Sequence, residues 1–319
     1  MNLGYDQPLY LLPFDHRHSY VTDMFHLEPP LTVPQREQVA DSKQLIYEGF
    51  KQAVAEGVPF AAAGVLVDEE FGAAILRNAL QRGFVTALSV ERSGTDEFEF
   101  EYGADFASHI EALDPTFAKV LVRYNPDGDP ALNLRQVGRL KQLSEYCRRS
   151  QRRFMFELLV PPTDDQLARA GGNKDVFDRQ ARPLLMQQTL HVLQDAGIEP
   201  DVWKVEGLDS QADGERIVQI ARRGGRDQVG CIVLGRGADE AKVRSWLTVA
   251  AGVPGFIGFA VGRTSFWDAV SGYRAQSLTR AEAATQIARR LREWVGIFEA
   301  VRSAPPAPSL SLAPSSGLA

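Results

Sequence analysis

The chain has 319 residues, of which 44% are hydrophobic and 24% charged, the proportions of an ordinary globular protein. Its net charge of −6 argues against nucleic acid or an anionic membrane surface as the main partner, so any basic site has to be local. Two cysteines, Cys147 and Cys231, make no disulfide framework and have no metal-ligand spacing. Reduced thiols, no basic leader followed by an apolar run, and no apolar stretch near the roughly 20 residues of a membrane helix lead us to expect a cytoplasmic protein.

The first apolar segment, Leu9-Tyr10-Leu11-Leu12-Pro13-Phe14-Asp15, reads as a buried strand that runs into the polar Asp15-His16-Arg17-His18 and a long loop. Pro34 opens a helix to about residue 56, with Val39, Leu45, Ile46, Phe50 and Val54 on its apolar side and Gly57 as its stop. A second strand over 60–67 ends in Asp68-Glu69-Glu70, and the helix after it stops at Gly83. The third, 85–90, ends in Glu91-Arg92 and precedes an acidic, aromatic loop or edge hairpin over 97–102. After a short helix over 105–113, strand four (117–122) ends in Arg123 and leads to a helix over 132–150.

Strand five covers 153–160. A loop containing Gly171-Gly172 follows, then a helix that Gly197 stops. Strand six lies in Asp201-Val202-Trp203-Lys204-Val205-Glu206-Gly207, with a helix behind it. Strand seven (230–234) ends in Gly235-Arg236-Gly237, with a helix over 239–251. Strand eight (256–261) ends in Gly262-Arg263-Thr264, where a short helix is expected, and a last helix spans about 279–301. Residues 303–319 are Pro/Ser/Ala-rich and uncharged, expected as a disordered tail behind one domain over 1–302.

Eight strand-then-helix units in strict alternation predict a parallel sheet, and eight in about 300 residues fit a single α/β (β/α)8 TIM barrel. No GxGxxG follows the first strand, which removes the support for a dinucleotide-binding sheet. In such a barrel the active site lies at the C-terminal strand ends. Asp15, Arg17, Asp68, Arg123, Glu157, Lys204, Glu206, Arg236 and Arg263 all collect there.

Lys119, Glu157 and Lys204 lie within strands rather than past them. On strand six, alternation puts Val202, Lys204 and Glu206 on one face and Trp203 and Val205 on the other. A buried lysine is driven towards its neutral, nucleophilic form, and a second lysine nearby adds to that, which is what Schiff-base chemistry on a carbonyl needs. The competing reading is a lysine held as an ammonium by a neighbouring glutamate, with Glu206 and Glu157 both in reach. Asp68, Glu91 and Arg92 read as plain loop charges or structural ion pairs. Gly235-Arg236 and Gly262-Arg263 recur at the two strand ends where barrels commonly bind phosphate. Of the five histidines only His16 and His18 are close, too few with Asp15 for a metal site, and no cofactor is implied.

Together, Leu9-Tyr10-Leu11-Leu12-Pro13-Phe14-Asp15-His16-Arg17, the Lys119–Tyr124 strand, Phe156-Glu157-Leu158, Trp203-Lys204-Val205-Glu206 and Val261-Gly262-Arg263 resemble one known family. It is the aldolase domain fused behind a sugar kinase in the bifunctional 5-dehydro-2-deoxygluconokinase/aldolase proteins of inositol catabolism. Class I tagatose-1,6-bisphosphate aldolases are similar more distantly. The resemblance covers about 1–300, without the kinase domain. It implies a cytoplasmic class I aldolase acting on a phosphorylated keto sugar acid, with Lys204 as the Schiff-base residue and Glu157 as the acid/base. Lys119 and Asp15 would assist, and Arg263 would hold phosphate, with Arg236, Arg17, Arg123, Glu206, Gly235 and Gly262 as further binding residues. A homo-oligomer is the expected state. Two alternatives stay open: a related sugar-phosphate or sulfosugar-phosphate aldolase or transaldolase, and a catalytically silent barrel that binds sugar phosphates as a regulator.

Overall fold

The computed structural model describes residues 2–303. Eight parallel strands close into a barrel in sequence order: β1 (Leu9–Pro13), β2 (Ala63–Val67), β3 (Val85–Ser89), β4 (Phe117–Arg123), β5 (Arg153–Leu159), β6 (Val202–Glu206), β7 (Gly230–Leu234) and β8 (Phe256–Ala260). Helices α1 (His18–Phe25) and α2 (Val33–Ala55) follow β1, α3 (Glu69–Gln81) follows β2, α4 (Phe106–Leu113) follows β3 and α5 (Pro130–Arg149) follows β4. Three short helices, α6 (Asp164–Arg169), α7 (Lys174–Gln180) and α8 (Arg182–Asp195), lie between β5 and β6. Then come α9 (Gln211–Ala221), α10 (Glu240–Ala251), α11 (Arg263–Arg274) and α12 (Arg280–Ser303). The fold is therefore a single (β/α)8 barrel.

Two apolar layers hold it. Leu9, Leu11, Leu66, Ala87, Phe117, Met155, Val202 and Ile232 fill the inside of the barrel, and the alternate residues, such as Trp203, Val205, Phe154 and Phe156, pack outward against the helices. Strands covered on both faces need near-continuous apolar runs, which is the pattern these segments show. One polar tier interrupts the inner layer at the C-terminal end, and it belongs to the site. Burial pushes both the Cys147 and Cys231 thiols up to about 12, so neither is a reactive thiolate.

Three segments differ from the expectations. The loop after β1 contains α1, which buries Tyr20, Val21, Met24 and Phe25 on one face. The Gly171-Gly172 loop carries α6 and α7. Their capping residues, Thr163 with Gln166 and Asn173, satisfy the free N-terminal amides that such short helices would otherwise expose. The second strand starts at Ala63, because Phe60–Ala62 form a 3-10 turn. The expected tail lies outside the described residues except Ser303, which closes α12.

Candidate active site

The inward alternation of β4, β5 and β6 places Lys119, Glu157 and Lys204 one step above the apolar floor of Phe117, Met155 and Val202. Glu157 pairs in register with Lys204, so the two side chains start level. Glu157 then bridges both lysines: one oxygen lies 2.8 Å from Lys204 Nζ and the other 2.8 Å from Lys119 Nζ. Lys119 also donates to Asp15 at 2.7 Å and to Glu91 at 2.8 Å. All five groups are at most 8% exposed. Buried charge on this scale is tolerated only when each group is paired and hydrogen-bonded.

The two lysines are thereby distinguished. An ammonium has three N–H donors, and three carboxylates surround Lys119: Asp15 and Glu91 accept hydrogen bonds and Glu157 adds an ion pair. Burial by itself would lower the Lys119 pKa, but Asp15, Glu157 and Glu91 raise it well above the usual value. It is a permanent cation. Lys204 has a single ionic partner among the described residues, Glu157, and its amine lies in the cavity wall.

The carboxylates answer in kind. Burial favours the neutral form of Asp15, yet the adjoining Lys119 outweighs it and holds the carboxyl well below the usual range. Glu157 is lowered in the same way, burial being overcome by Lys119 and Lys204. At Glu91 burial wins over Lys119 and Arg17, and the pKa rises. Of the two sequence readings of Glu91, loop charge or structural ion pair, the second holds: it pairs with Lys119 inside the cluster, and its inward parity with Ala87 and Ser89 is the sequence signal for that place.

Above the cluster opens a cavity of about 410 Å³, within the range of small-molecule sites. Its walls include Asp15, His16, Arg17, Glu91, Arg123, Glu157 and Lys204, and on the far side Gly235, Arg236, Gly237, Gly262 and Arg263. Arg236 and Gly237 both have positive φ, 52° and 69°. The positive φ of Gly237 favours glycine, and a Cβ there would meet the Arg263 guanidinium at 2.6 Å and push it off the turn it packs over. Arg263 donates to the Arg236 carbonyl at 3.3 Å and starts α11, whose first amides lack helical acceptors. That helix is 12 residues long, more than the short turn expected.

The remaining candidates divide. Arg123 is largely open, touching the Thr95 carbonyl at 3.2 Å and the exposed Asp96 at 3.9 Å. Arg17 lines the cavity, but its guanidinium is occupied by Glu101 at 2.7 Å and the Glu91 carbonyl at 2.6 Å. Glu206 does not line the cavity. Its carboxylate accepts from Arg182 at 3.0 Å and from the Val160 amide at 2.8 Å, behind the strand-seven turn. Asp68 caps α3 and pairs with the fully buried Lys43, a structural ion pair below the rim.

His16, next to Asp15, was not expected to matter beyond a two-ligand metal idea. Its ring lies in the cavity wall with Nδ1 unpartnered. Burial, then the nearby Arg263, Lys204 and Lys43, push its pKa down to about 4 against an opposing pull from Asp15. The ring is neutral at pH 7. Because protons bind the unfolded chain more tightly, wild type should lose stability relative to His16→Asn as pH falls from 6.5 towards 4. The relative loss should approach about 1.4 kcal/mol per pH unit in urea denaturation, and pH-independent curves would refute it.

A family model described as an uncharacterized protein conserved in bacteria, DUF2090, matches residues 5–302. The chain belongs to the DUF2090 family. No curated protein matches it. The fructose-bisphosphate aldolase of Plasmodium falciparum, solved with TRAP and a small-molecule inhibitor, superposes on this DUF2090 chain with a TM-score of 0.61 at 15% identity, covering 96% of this chain and 99% of the aldolase. An archaeal fructose 1,6-bisphosphate aldolase gives 0.55 at 12% identity over 92% and 94%. A Corynebacterium glutamicum protein gives 0.54 at 19% identity over 92% and 88%. At these identities the likeness is one of fold: this DUF2090 member has the barrel that fructose-bisphosphate aldolases use.

Proposed function

We propose that this protein is a class I aldolase in which Lys204 forms a Schiff base with the ketone of a phosphorylated keto sugar acid. The observation that carries the reading is the unequal treatment of the two lysines. Lys119 is saturated by Asp15, Glu91 and Glu157, whereas Lys204 has only Glu157, a carboxylate placed to take and return its proton. Nucleophile, proton acceptor and fixed cation adjoin one another at the floor of one cavity, the set that covalent carbonyl chemistry needs.

The substrate that the family resemblance implies is 6-phospho-5-dehydro-2-deoxygluconate. Lys204 condenses with the C5 ketone and releases water. Glu157, with Asp15 and Lys119 adjoining, removes the proton of the C3 hydroxyl. The C3–C4 bond then breaks, its electron pair passes to the iminium, and malonate semialdehyde leaves. Protonation at C4 and hydrolysis release dihydroxyacetone phosphate and restore the amine. Arg263, the glycine amides of the two Gly-Arg turns and the start of α11 suit the phosphate. Arg123 ends β4, four strands from the β8 end that carries Arg263, and β4 and β8 face each other in an eight-stranded barrel. The phosphate and the carboxylate of such a substrate would thus be held at opposite sides of the mouth, with the lysine between.

Borohydride reduction in the presence of dihydroxyacetone phosphate should join the ligand covalently to Lys204, read by intact mass and peptide mapping. Binding without any trapped adduct would sink the proposal and favour a sugar-phosphate-binding barrel that lacks Schiff-base chemistry.

A further inference from the structure

Behind the cavity, four charged groups form a closed network that the chemistry above leaves unused. Arg182, at the start of α8, lies 3.0 Å from Glu206 and 3.1 Å from Asp178, and donates to the Gly207 carbonyl at 3.3 Å. Arg236 lies 3.2 Å from the same Glu206 oxygen and 2.6 Å from Asp178. Two arginines and two carboxylates make the network neutral overall. Glu206 and Arg182 are buried, Asp178 is half-buried and Arg236 is exposed, its side chain 33% open. Burial raises the Glu206 pKa against the pull of Arg182 and the Val160 amide.

The network has a mechanical consequence. Arg236 sits at a left-handed φ that non-glycine residues seldom adopt, so something must hold it there. Its side chain is gripped by Glu206 from β6 and Asp178 from α7. Its carbonyl, in turn, receives the Arg263 guanidinium, which packs over Gly237. A continuous chain of contacts therefore runs from Arg182 and Glu206 through Arg236 to Arg263, the cation open to the cavity.

We infer that Glu206 is a positioning residue: with Arg182 and Asp178 it sets the strand-seven turn so that Arg263 and the Gly235–Gly237 amides form an anion cradle for phosphate. The inference rests on the reading of this wall as the phosphate side of the cavity. Removing the charge of Glu206 frees Arg236, lets its backbone relax and withdraws the acceptor that aims Arg263.

The test compares full-length wild type, Glu206→Gln and Asp178→Asn. Calorimetry measures the binding of dihydroxyacetone phosphate and of inorganic phosphate, and borohydride trapping on Lys204 is run with dihydroxyacetone and with its phosphate. Glu206→Gln should bind both phosphate ligands about tenfold more weakly, while trapping of unphosphorylated dihydroxyacetone stays at the wild-type rate. A merely structural role would lower trapping of both ketones together. Asp178→Asn, at a half-buried site, should show the same selective loss, and it decides the matter should Glu206→Gln fail to fold. Wild-type phosphate affinity in the variants overturns the inference while a Lys204 adduct upholds the aldolase reading. Weakened phosphate binding with no adduct in wild type does the reverse. No phosphate binding by wild type would overturn both.

Discussion

Lys204→Met is expected to lose both the borohydride-trapped adduct and the cleavage activity, the latter by about 10⁴-fold or more, because on the proposed mechanism Lys204 supplies the covalent step. Lys119 should not substitute. Three carboxylates surround its Nζ, and the cost of stripping a proton from that cluster keeps it an ammonium. The variant should still fold. Methionine fills most of the lysine volume, and Glu157 keeps Lys119 as its buried partner, so no carboxylate is left without a cation. Retention of the adduct in Lys204→Met, or its appearance on Lys119, would overturn the assignment of the nucleophile. Dihydroxyacetone phosphate binding, measured by calorimetry, should survive in the variant apart from the covalent contribution.

Lys119→Met should behave in the opposite way, with a large loss of stability as well as activity. The substitution leaves Asp15, Glu91 and Glu157 facing one another with only Lys204 and Arg17 to answer them. Breaking a buried ionic cluster by removing one partner costs about 3–5 kcal/mol. The pH dependence identifies the cause. In wild type the folded-state pKa values of Asp15 and Glu157 lie below their unfolded values. Their contribution is therefore present above the unfolded value of about 4 and is lost as pH falls through the folded one. Without Lys119 that contribution disappears, so the stability gap between the two proteins should be widest near pH 7 and narrow below about pH 4. Urea denaturation at several pH values measures it. A gap that stays constant across this range would mean that Lys119 acts through packing and not through its charge.

Much of the barrel was legible because the relevant signals are local. Buried parallel strands have to be apolar on both faces, so they appear as short apolar runs, and glycines, prolines and polar turns mark their ends. Strand parity, also local, placed Lys119, Glu157 and Lys204 on the inner face. The same rule misplaced Glu206, whose strand ends at that residue, where Arg182 from α8 and the Val160 amide draw the carboxylate outward. Parity carries no information about a partner contributed by a helix elsewhere in the chain. Glu91 shows the converse: two residues beyond the end of β3, parity alone leaves open whether it is a loop charge or an ion pair, and only the fold brings it to Lys119.

By itself, then, the sequence determined the eightfold alternation, the shared face of the charged residues on strands four to six and the recurrence of Gly-Arg at the last two strand ends. These follow from chain chemistry over a few residues: alternation of side chains along a strand, burial of apolar runs and the turns glycine permits. What only the tertiary structure decided is how many carboxylates surround each lysine Nζ. Those of Lys119 come from three different parts of the barrel, the ends of β1 and β3 and the middle of β5, with Asp15 104 residues away. A short strand motif such as Trp203-Lys204-Val205-Glu206 reads the same whether its lysine is saturated or available. Among the described residues, closing the barrel gave Lys119 three carboxylate partners and Lys204 one, and on the proposed mechanism that count separates a structural cation from a nucleophile.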